Sequence, residues 1–209
     1  MNENDQEIEA KFYVRDLEAL QRRALAQGAS LLHARHLESN LRFDTPRHSL
    51  TRAGRVLRLR LPAPNGESSA AVLTYKGPPR PDAAVNIRQE IEVIVNDLDA
   101  ARRLLHALNY SVVASYEKYR SEYRLNAVDL AFDELPYGQF IEIEGRNEGD
   151  IQAAAAALGL NWQARAFVSY MGLFERLCQK RNLHTTHLTF AALQGMSFSP
   201  AELELDFAD

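Results

Sequence analysis

The chain has little of what would tie it to an oxidising compartment, a zinc site or a membrane. Cys178 is the one cysteine in 209 residues, so an intramolecular disulfide and a cysteine-rich zinc site are excluded, and its apolar helical surroundings give the thiol a packing role. No apolar run reaches the roughly 20 residues of a membrane-spanning helix. The amino terminus is polar and acidic rather than basic and then apolar, so the expectation is a cytoplasmic protein without membrane contact. An excess of positive charge is missing too. The formal net charge of -4 argues against general nucleic-acid binding, where a basic surface supplies most of the affinity, while still allowing a local basic cluster. There is no glycine-rich phosphate loop, which disfavours a P-loop nucleotidase. His33, His36, His48, His106, His184 and His187 show no catalytic zinc spacing. With 46% apolar residues, the chain is long enough for a real core.

What is present is charge at period two. A strand turns successive side chains to opposite faces, so Glu7-Ile8-Glu9-Ala10-Lys11 puts two carboxylates and an ammonium in one row. The pattern recurs: Arg58 and Arg60 alternate with Leu57, Leu59 and Leu61; Arg88, Glu90 and Glu92 alternate with Ile91 and Val93; Glu142 and Glu144 flank Ile143. One such strand describes a half-exposed sheet. Several, with charges clustered by sign, point to a common site for a polyanion and a metal ion. Arg42, Arg55 and Arg124 read as surface residues.

The elements repeat as well. A strand over roughly residues 6 to 14 runs into Asp16 as a helix cap, then Leu17, Leu20, Ala24 and Leu25 at helical spacing, with Gly28 as the stop. A second strand from Glu90 leads to Asp97 as cap and to Leu98, Ala101, Leu104, Leu105 and Leu108 as an apolar stripe. Both units open with Glu-Ile-Glu, which suggests a pseudo-twofold single domain rather than a solenoid. A third Glu-Ile-Glu, at 142 to 144, precedes an alanine-rich helix around residues 149 to 158. Short strands are expected at Arg42 to Asp44, Val56 to Leu61, Ala70 to Lys76, Ser115 to Arg124, Ala127 to Asp133 and Gln139 to Glu144, with turns at Asn65-Gly66, Asn126 and Pro136 to Gly138. Pro78, Pro79 and Pro81 form a stiff surface loop. Residues 165 to 181 read as a helix with Phe167, Tyr170, Met171, Phe174 and Leu177 on one stripe, and Ser169 as a packing residue.

About eight strands joined mostly by short turns indicate an α+β fold: an antiparallel sheet closed into a barrel, with helices outside. The direction of alternation decides what faces inward. Apolar outer faces would be covered by the helical stripes, leaving a polar lumen whose charges compensate one another or meet a ligand.

These residues resemble the CYTH superfamily, the triphosphate tunnel metalloenzymes, which include thiamine triphosphatases, inorganic triphosphatases and class IV adenylate cyclases. Glu7-Ile8-Glu9-Ala10-Lys11 matches the family's ExExK signature. It is followed in order by Leu57-Arg58-Leu59-Arg60, Thr74-Tyr75-Lys76-Gly77-Pro78, Arg88-Gln89-Glu90-Ile91-Glu92, Glu117-Lys118-Tyr119-Arg120, and Asp133-Glu134 before Gly138-Gln139-Phe140-Ile141-Glu142-Ile143-Glu144. The likeness spans roughly residues 5 to 178 of a single domain, leaving 179 to 209 as a C-terminal extension, and it is strongest to the class IV adenylate cyclase-like branch. The resemblance implies an eight-stranded antiparallel tunnel. It implies Glu7, Glu9, Glu92, Asp133, Glu142 and Glu144 as ligands of Mg²⁺ or Mn²⁺, and Lys11, Arg58, Arg60, Lys76, Arg88, Lys118 and Arg120 as holders of the triphosphate. Lys11, Arg58, Arg60 and Glu90 would form the catalytic set, with Glu90 and Glu92 orienting the cations. Either water attacks the bound triphosphate or a ribose 3'-hydroxyl attacks the α-phosphate, and the same clamp serves both. A small-molecule triphosphate is thus the expected partner, and the apolar outer surface is compatible with a homodimer. A non-catalytic polyphosphate or nucleotide sensor is the remaining alternative.

Overall fold

The computed structural model describes residues 6–62 and 70–209. Eight antiparallel strands close into a barrel: β1 (Gln6–Val14), β2 (Ser30–Asp44), β3 (Val56–Arg60), β4 (Ala71–Lys76), β5 (Asn86–Val95), β6 (Ser111–Leu125), β7 (Val128–Leu135) and β8 (Gly138–Glu144). Their order around the barrel is β2-β3-β4-β5-β1-β8-β7-β6, and pairing of β6 with β2 closes it. A two-residue strand, β9 (His187–Leu188), lies parallel to β6 at Ser115 and Tyr116 outside the closed ring. The helices are α1 (Leu17–Ala26), α2 (Ser49–Arg52), α3 (Leu98–Ala107), α4 (Glu148–Ala157), α5 (Tyr170–Arg181) and α6 (Pro200–Leu203), with a 3-10 turn at Trp162–Ala164.

The order of elements is β-α-β-β-β twice, β1-α1-β2-β3-β4 and β5-α3-β6-β7-β8, with the short α2 inserted in the first. Equivalent strands pair antiparallel with each other, β1 with β5 and β2 with β6, as a twofold axis through the barrel requires. Asp16 accepts from Ala19 N and Asp97 from Ala100 N, so both repeats start their helix with the expected aspartate cap.

The barrel is inside-out relative to a globular core. Ala10, Phe12 and Val14 of β1, Leu130 and Phe132 of β7, and Ile141 and Ile143 of β8 point outward and are buried beneath Leu17, Leu20 and Ala24 of α1 and Ile151 and Ala155 of α4. Each fully buried Leu, Ile or Phe there contributes roughly 1.5–3 kcal/mol. A second cluster fills one end of the barrel. By alternation, Tyr13 and Phe140 continue the inward rows of Lys11 and Glu142; they pack with Tyr137, Tyr170, Leu173 and Phe174, so this end holds side chains rather than solvent. The third cluster, Phe43, Leu59, Ala71 and Leu105, is smaller. Consequently α3 covers less of the sheet than its stripe implies: Leu104, Leu108, Ile91 and Val93 remain exposed.

Three expectations need correction. The short strand at Arg42 to Asp44 is the end of a 15-residue strand, β2, whose first half shows no alternation because register shifts interrupt its pairing with β6. Strand β6 likewise begins at Ser111. The helix placed over 165 to 181 starts only at Tyr170; Ser169 is its cap, accepting from Gly172 N, and Phe167 lies outside it, exposed. Leu25 is exposed too. The Asn126 turn is present, with Asn126 at φ 53°, and Pro78, Pro79 and Pro81 are exposed as expected. The Asn65-Gly66 turn lies outside the described residues.

Candidate active site

The lumen is a cavity of about 530 Å³. Register explains its lining: Glu7 pairs with Arg88 and Glu9 with Asn86 across β1–β5, Glu9 with Glu144 and Lys11 with Glu142 across β1–β8. Thr74 pairs with Glu92 and Lys76 with Glu90, and Glu38 with Lys118. Paired residues share a face, so the alternating charges of several strands converge on one volume.

Most of its charged lining forms a compensated ionic network. Lys11 Nζ lies 3.1 Å from Glu142 and 4.1 Å from the centre of the Tyr170 ring. Arg120 donates to both Asp133 oxygens at 2.7 and 2.5 Å and to Glu142 at 2.5 Å. Lys118 sits 3.2 Å from Asp133 and 3.6 Å from Glu38. On the other wall Arg58 donates to Tyr116 Oη at 3.2 Å and Thr74 Oγ1 at 3.1 Å, with Glu92 at 3.5 Å and Glu90 at 4.0 Å. Lys76 reaches Glu7 at 2.5 Å and Glu90 at 3.2 Å, and Arg60 reaches Glu38 at 3.2 Å. Burial works against the charged forms of Lys11, Lys76, Arg58, Arg120, Glu38 and Glu142, and their partners outweigh it; at Glu7 burial prevails and raises the carboxyl. Glu142 is held well below the usual carboxylate range by Lys11 and Arg120, and Glu38 by Lys118 and His36. Against the same burial, Asp133 holds Arg120 protonated, and Glu7 does so for Lys76.

One corner is acidic and less well compensated. Glu9 is pushed up to about 7 by burial, with the Glu142 charge adding to it, and Glu144 to about 7 by burial and then Glu7. Glu7 Oε2 is buried with no hydrogen-bond partner among the described residues. Glu9 faces Glu144 directly across the strand pair, an arrangement that repels unless a cation intervenes. Among the described residues no three acid, histidine or cysteine side chains already stand as a metal-ligating group. The donor chemistry nevertheless fits a hard divalent ion: oxygen-only, anionic, with an orphaned lone pair.

Several residues take places that spacing alone does not assign. Asp133 does not line the cavity; it is fully buried and engaged by Arg120, Lys118 and Tyr170 Oη at 2.8 Å, which occupies the oxygens a metal would need. Arg88 lines the cavity, yet its guanidinium donates to the carbonyls of Gly77 at 2.6 Å and Gly54 at 3.0 Å, bracing the loop after Lys76. Arg42 and Arg124, both expected at the surface, line the cavity, Arg42 half-buried and Arg124 exposed, whereas Arg55 is exposed outside it. Glu38, Asn40, Tyr116 and Tyr170 were not anticipated. The signal for the first two existed: His36, Glu38, Asn40, Arg42 and Asp44 alternate with Leu37, Leu41 and Phe43. Asn40 is 1% exposed with neither amide atom partnered among the described residues, a cost of roughly 1–3 kcal/mol unless water or ligand meets it.

The sequence and the fold are shared with known proteins. The chain is 29% identical over 181 residues to adenylate cyclase CyaB of Aeromonas hydrophila, covering 81% of this chain and 89% of the relative. Its fold matches that of the PH1819 protein of Pyrococcus horikoshii, with a TM-score of 0.66 and 26% identity over 81% of this chain and 98% of that one. It also matches HpAC1 of Hippeastrum, an adenylyl cyclase by name in which a dominant triphosphatase activity has been found, with a TM-score of 0.58 and 20% identity over 81% and 95%. No helix among the described residues is long and apolar enough to cross a membrane. The CYTH domain family matches residues 5–165, and the chain belongs to that family.

Proposed function

We propose that the protein is a metal-dependent triphosphatase that hydrolyses a triphosphate bound in the lumen. The observation that carries the reading is the convergence of Lys11, Arg58, Arg60, Lys76, Lys118 and Arg120 on one cavity. Such a density of cation donors matches a linear polyanion: arginine forks give bidentate contacts to phosphate oxygens, and the lysines act as point charges. In the ligand-free lumen each of these cations leans on a carboxylate. A triphosphate competes for them, so its binding frees Glu7, Glu90 or Glu142 and raises the acidic charge beside Glu9 and Glu144.

That coupling supports a divalent ion, Mg²⁺ or Mn²⁺, held by Glu7, Glu9 and Glu144, whose chemistry there is to neutralise phosphate charge and lower the pKa of bound water. The chain's own residues do the rest. Arg58 and Arg60 stabilise charge on the transferred phosphoryl group, Lys11 and Arg120 fix the chain near the filled end, and Glu90 keeps Arg58 and Lys76 aimed. The lone cysteine, unpaired in the fold, suits a reducing compartment, and we place the reaction in the cytoplasm.

Cyclisation of ATP to cyclic AMP is the second reading, favoured by the relationship to CyaB; the clamp accommodates it equally. Product analysis separates the two. The purified protein is incubated with inorganic triphosphate, ATP and thiamine triphosphate, each with Mg²⁺ or Mn²⁺, and the products are resolved by ion exchange. Orthophosphate supports the triphosphatase, cyclic AMP with pyrophosphate replaces it with a cyclase, and binding without turnover refutes both.

A further inference from the structure

The wall of the lumen opposite the acidic corner carries a cation without a counter-charge. In the closed order of strands β2 lies four steps from β1, so the inward row of β2 faces Glu7 and Glu9 across the barrel. Arg42 belongs to that row and lines the cavity, half-buried. The other lysines and arginines of the lining each lean on a carboxylate or, for Arg88, on the carbonyls of Gly77 and Gly54; among the described residues Arg42 alone has neither. Its neighbours add to the imbalance. Arg42 pairs with Arg58 across β2–β3 and with Ala114 across β2–β6: like charges set directly opposite repel, and the alanine offers no acceptor. Burial lowers the Arg88 guanidinium, and the charge of Arg42 adds to that shift, so a third cation lies within its field.

Two further donors stand open on this side. Tyr116, on β6 two residues from Ala114, lines the lumen and is 8% exposed. Its Oη accepts from Arg58 Nη1 at 3.2 Å, and among the described residues its own proton has no acceptor. Arg58 Nε is buried and unpartnered as well. Open donors in a buried place are costly until an acceptor meets them. A solvated arginine accounts for Arg42 taken alone; it does not account for the open donors on the buried neighbours. An anion with several outward oxygens satisfies the whole set.

We propose that Arg42 and Tyr116 seat the free end of the phosphate chain, so that the lumen selects a ligand whose last phosphate bears no substituent. The proposal rests on the triphosphate reading of the lumen and gives the chain a direction. From the acidic corner at Glu9 and Glu144 it follows Lys76 of β4 and Arg58 of β3 to Arg42 of β2, in the order of the strands round the barrel. A terminal phosphate presents three outer oxygens and more charge than an internal one, which suits a guanidinium fork with a hydroxyl beside it. The missing counter-charge then has a use: no carboxylate has to be displaced from Arg42 before the ligand binds, and the repulsion with Arg58 is the stability given up for it.

The test compares linear inorganic triphosphate with cyclic trimetaphosphate, which has three phosphates and no free end. Each is titrated calorimetrically into the whole protein with Ca²⁺ supplying the divalent charge, and ion exchange checks that the ligand is recovered intact. The wild type should bind the linear form at least about tenfold tighter, the loss of one charge-assisted contact. Arg42→Ala should weaken the linear form by at least that factor and trimetaphosphate by less than about twofold, and Arg42→Lys, with the charge but not the fork, should recover part of the loss. Without ligand the Tm of Arg42→Ala should equal or exceed that of the wild type, because a repulsion is removed. Arg55→Ala, which deletes an exposed charge outside the cavity, should leave both affinities within about twofold. Equal affinity of the wild type for the two ligands, an unchanged linear affinity in Arg42→Ala, or a parallel loss of both ligands overturns the seat. An equal loss in Arg55→Ala reduces it to the general field of the protein, and a lower Tm in Arg42→Ala makes Arg42 a brace of the ligand-free wall; either result overturns the proposal. No binding of linear triphosphate by the wild type refutes the lumen reading itself, a separate failure.

Discussion

Asp133 separates two accounts of the lumen, because an aspartate that ligates a metal and one that braces cations respond oppositely to neutralisation. It is fully buried and takes four donors: Arg120 Nε at 2.7 Å and Nη2 at 2.5 Å, Lys118 Nζ at 3.2 Å and Tyr170 Oη at 2.8 Å. Asp133→Asn keeps the shape but replaces one acceptor by an amide NH2 donor that faces a cation. Breaking a buried pair from one side costs about 3–5 kcal/mol; Glu142 and Glu38 still neutralise Arg120 and Lys118, which puts the expected loss at the low end, about 3 kcal/mol. For a chain of this length that is a fall in Tm of roughly 6–12 °C, read by urea and thermal denaturation with an unchanged m-value. The second readout carries the discrimination. The variant lumen has one negative charge fewer beside two cations, so inorganic triphosphate should raise its Tm by more than it raises that of the wild type, while the affinity for Mn²⁺ stays unchanged. A variant of wild-type stability that binds Mn²⁺ at least tenfold more weakly would refute the bracing role and restore Asp133 to the metal ligands.

Arg58→Ala removes the guanidinium between Tyr116, Thr74 and Glu92 and should lower kcat/KM on the preferred triphosphate by at least about 100-fold, with circular dichroism unchanged; wild-type rates would remove Arg58 from the site. Glu9→Gln should abolish turnover comparably yet leave Tm equal or higher, since it relieves the repulsion with Glu144; a lower Tm would show that Glu9 stabilises the ligand-free fold. The pH dependence follows from the two raised carboxyls. Glu9 and Glu144, pushed up to about 7 by burial, favour folding while protonated, so without divalent ions their penalty is absent below the unfolded value of about 4.3 and grows until pH passes 7. Tm in EDTA should therefore decline between pH 5 and 8, with a shallower slope in Glu144→Gln; a flat wild-type profile would contradict the cluster. Asp44 accepts from Leu50 N, Thr51 N, Thr51 Oγ1 and Thr45 N, at 2.7–2.9 Å, which hold its carboxyl below the ordinary value against burial. Asp44→Ala should cost about 2–3 kcal/mol at neutral pH, and the difference from wild type should shrink as pH falls below about 4, where the unfolded carboxylate takes up its proton first, until pH passes the depressed native value; a constant difference would point to packing instead.

The site was legible to the extent that strands alternate. Glu7, Glu9, Lys11, Arg58, Arg60, Lys76, Glu90, Glu92, Lys118, Arg120, Glu142 and Glu144 all line one cavity because a period of two leaves only two faces, and the apolar face is claimed by the helices. Alternation gives the face but not the partner. It could not say that Arg88 would turn to the carbonyls of Gly77 and Gly54, or that Asp133 would be enclosed while Glu144, two register steps along β8, sits at the rim of the lumen, enclosed on one side only. It also fails where a strand is irregular. Ser30 to His36 carries no alternation because the ladder slips there, and that stretch supplies His33 and His36. The misplaced start of α5 has another cause: Phe167 falls at helical spacing from Tyr170 and Phe174, and only the Ser169 cap, bonded to Gly172 N, marks where the helix begins.

The pseudo-twofold frame and the charge distribution obey different constraints. Pairing of β1 with β5 and β2 with β6 relates the two halves, and both repeats bury apolar outer faces beneath a helix, so the backbone is close to symmetric. The lining is not. Strands β3 and β4 contribute Arg58, Arg60 and Lys76, whereas their counterparts β7 and β8 contribute Asp129, Glu142 and Glu144. A symmetric shell costs no specificity, because its outward residues need only be apolar and of suitable volume. An asymmetric lining sets a field across the lumen, cationic on the β3–β4 side and acidic towards Glu9 and Glu144. On the proposed triphosphatase reading, that field would draw an anionic chain to the β3–β4 wall and a divalent cation to the acidic corner beside it. The unpartnered amide of Asn40 and the raised carboxyls of Glu9 and Glu144 are the local cost of keeping that field in place without ligand. It is tolerated because the apolar clusters beneath the helices lie outside the lumen, while the remaining one plugs its end.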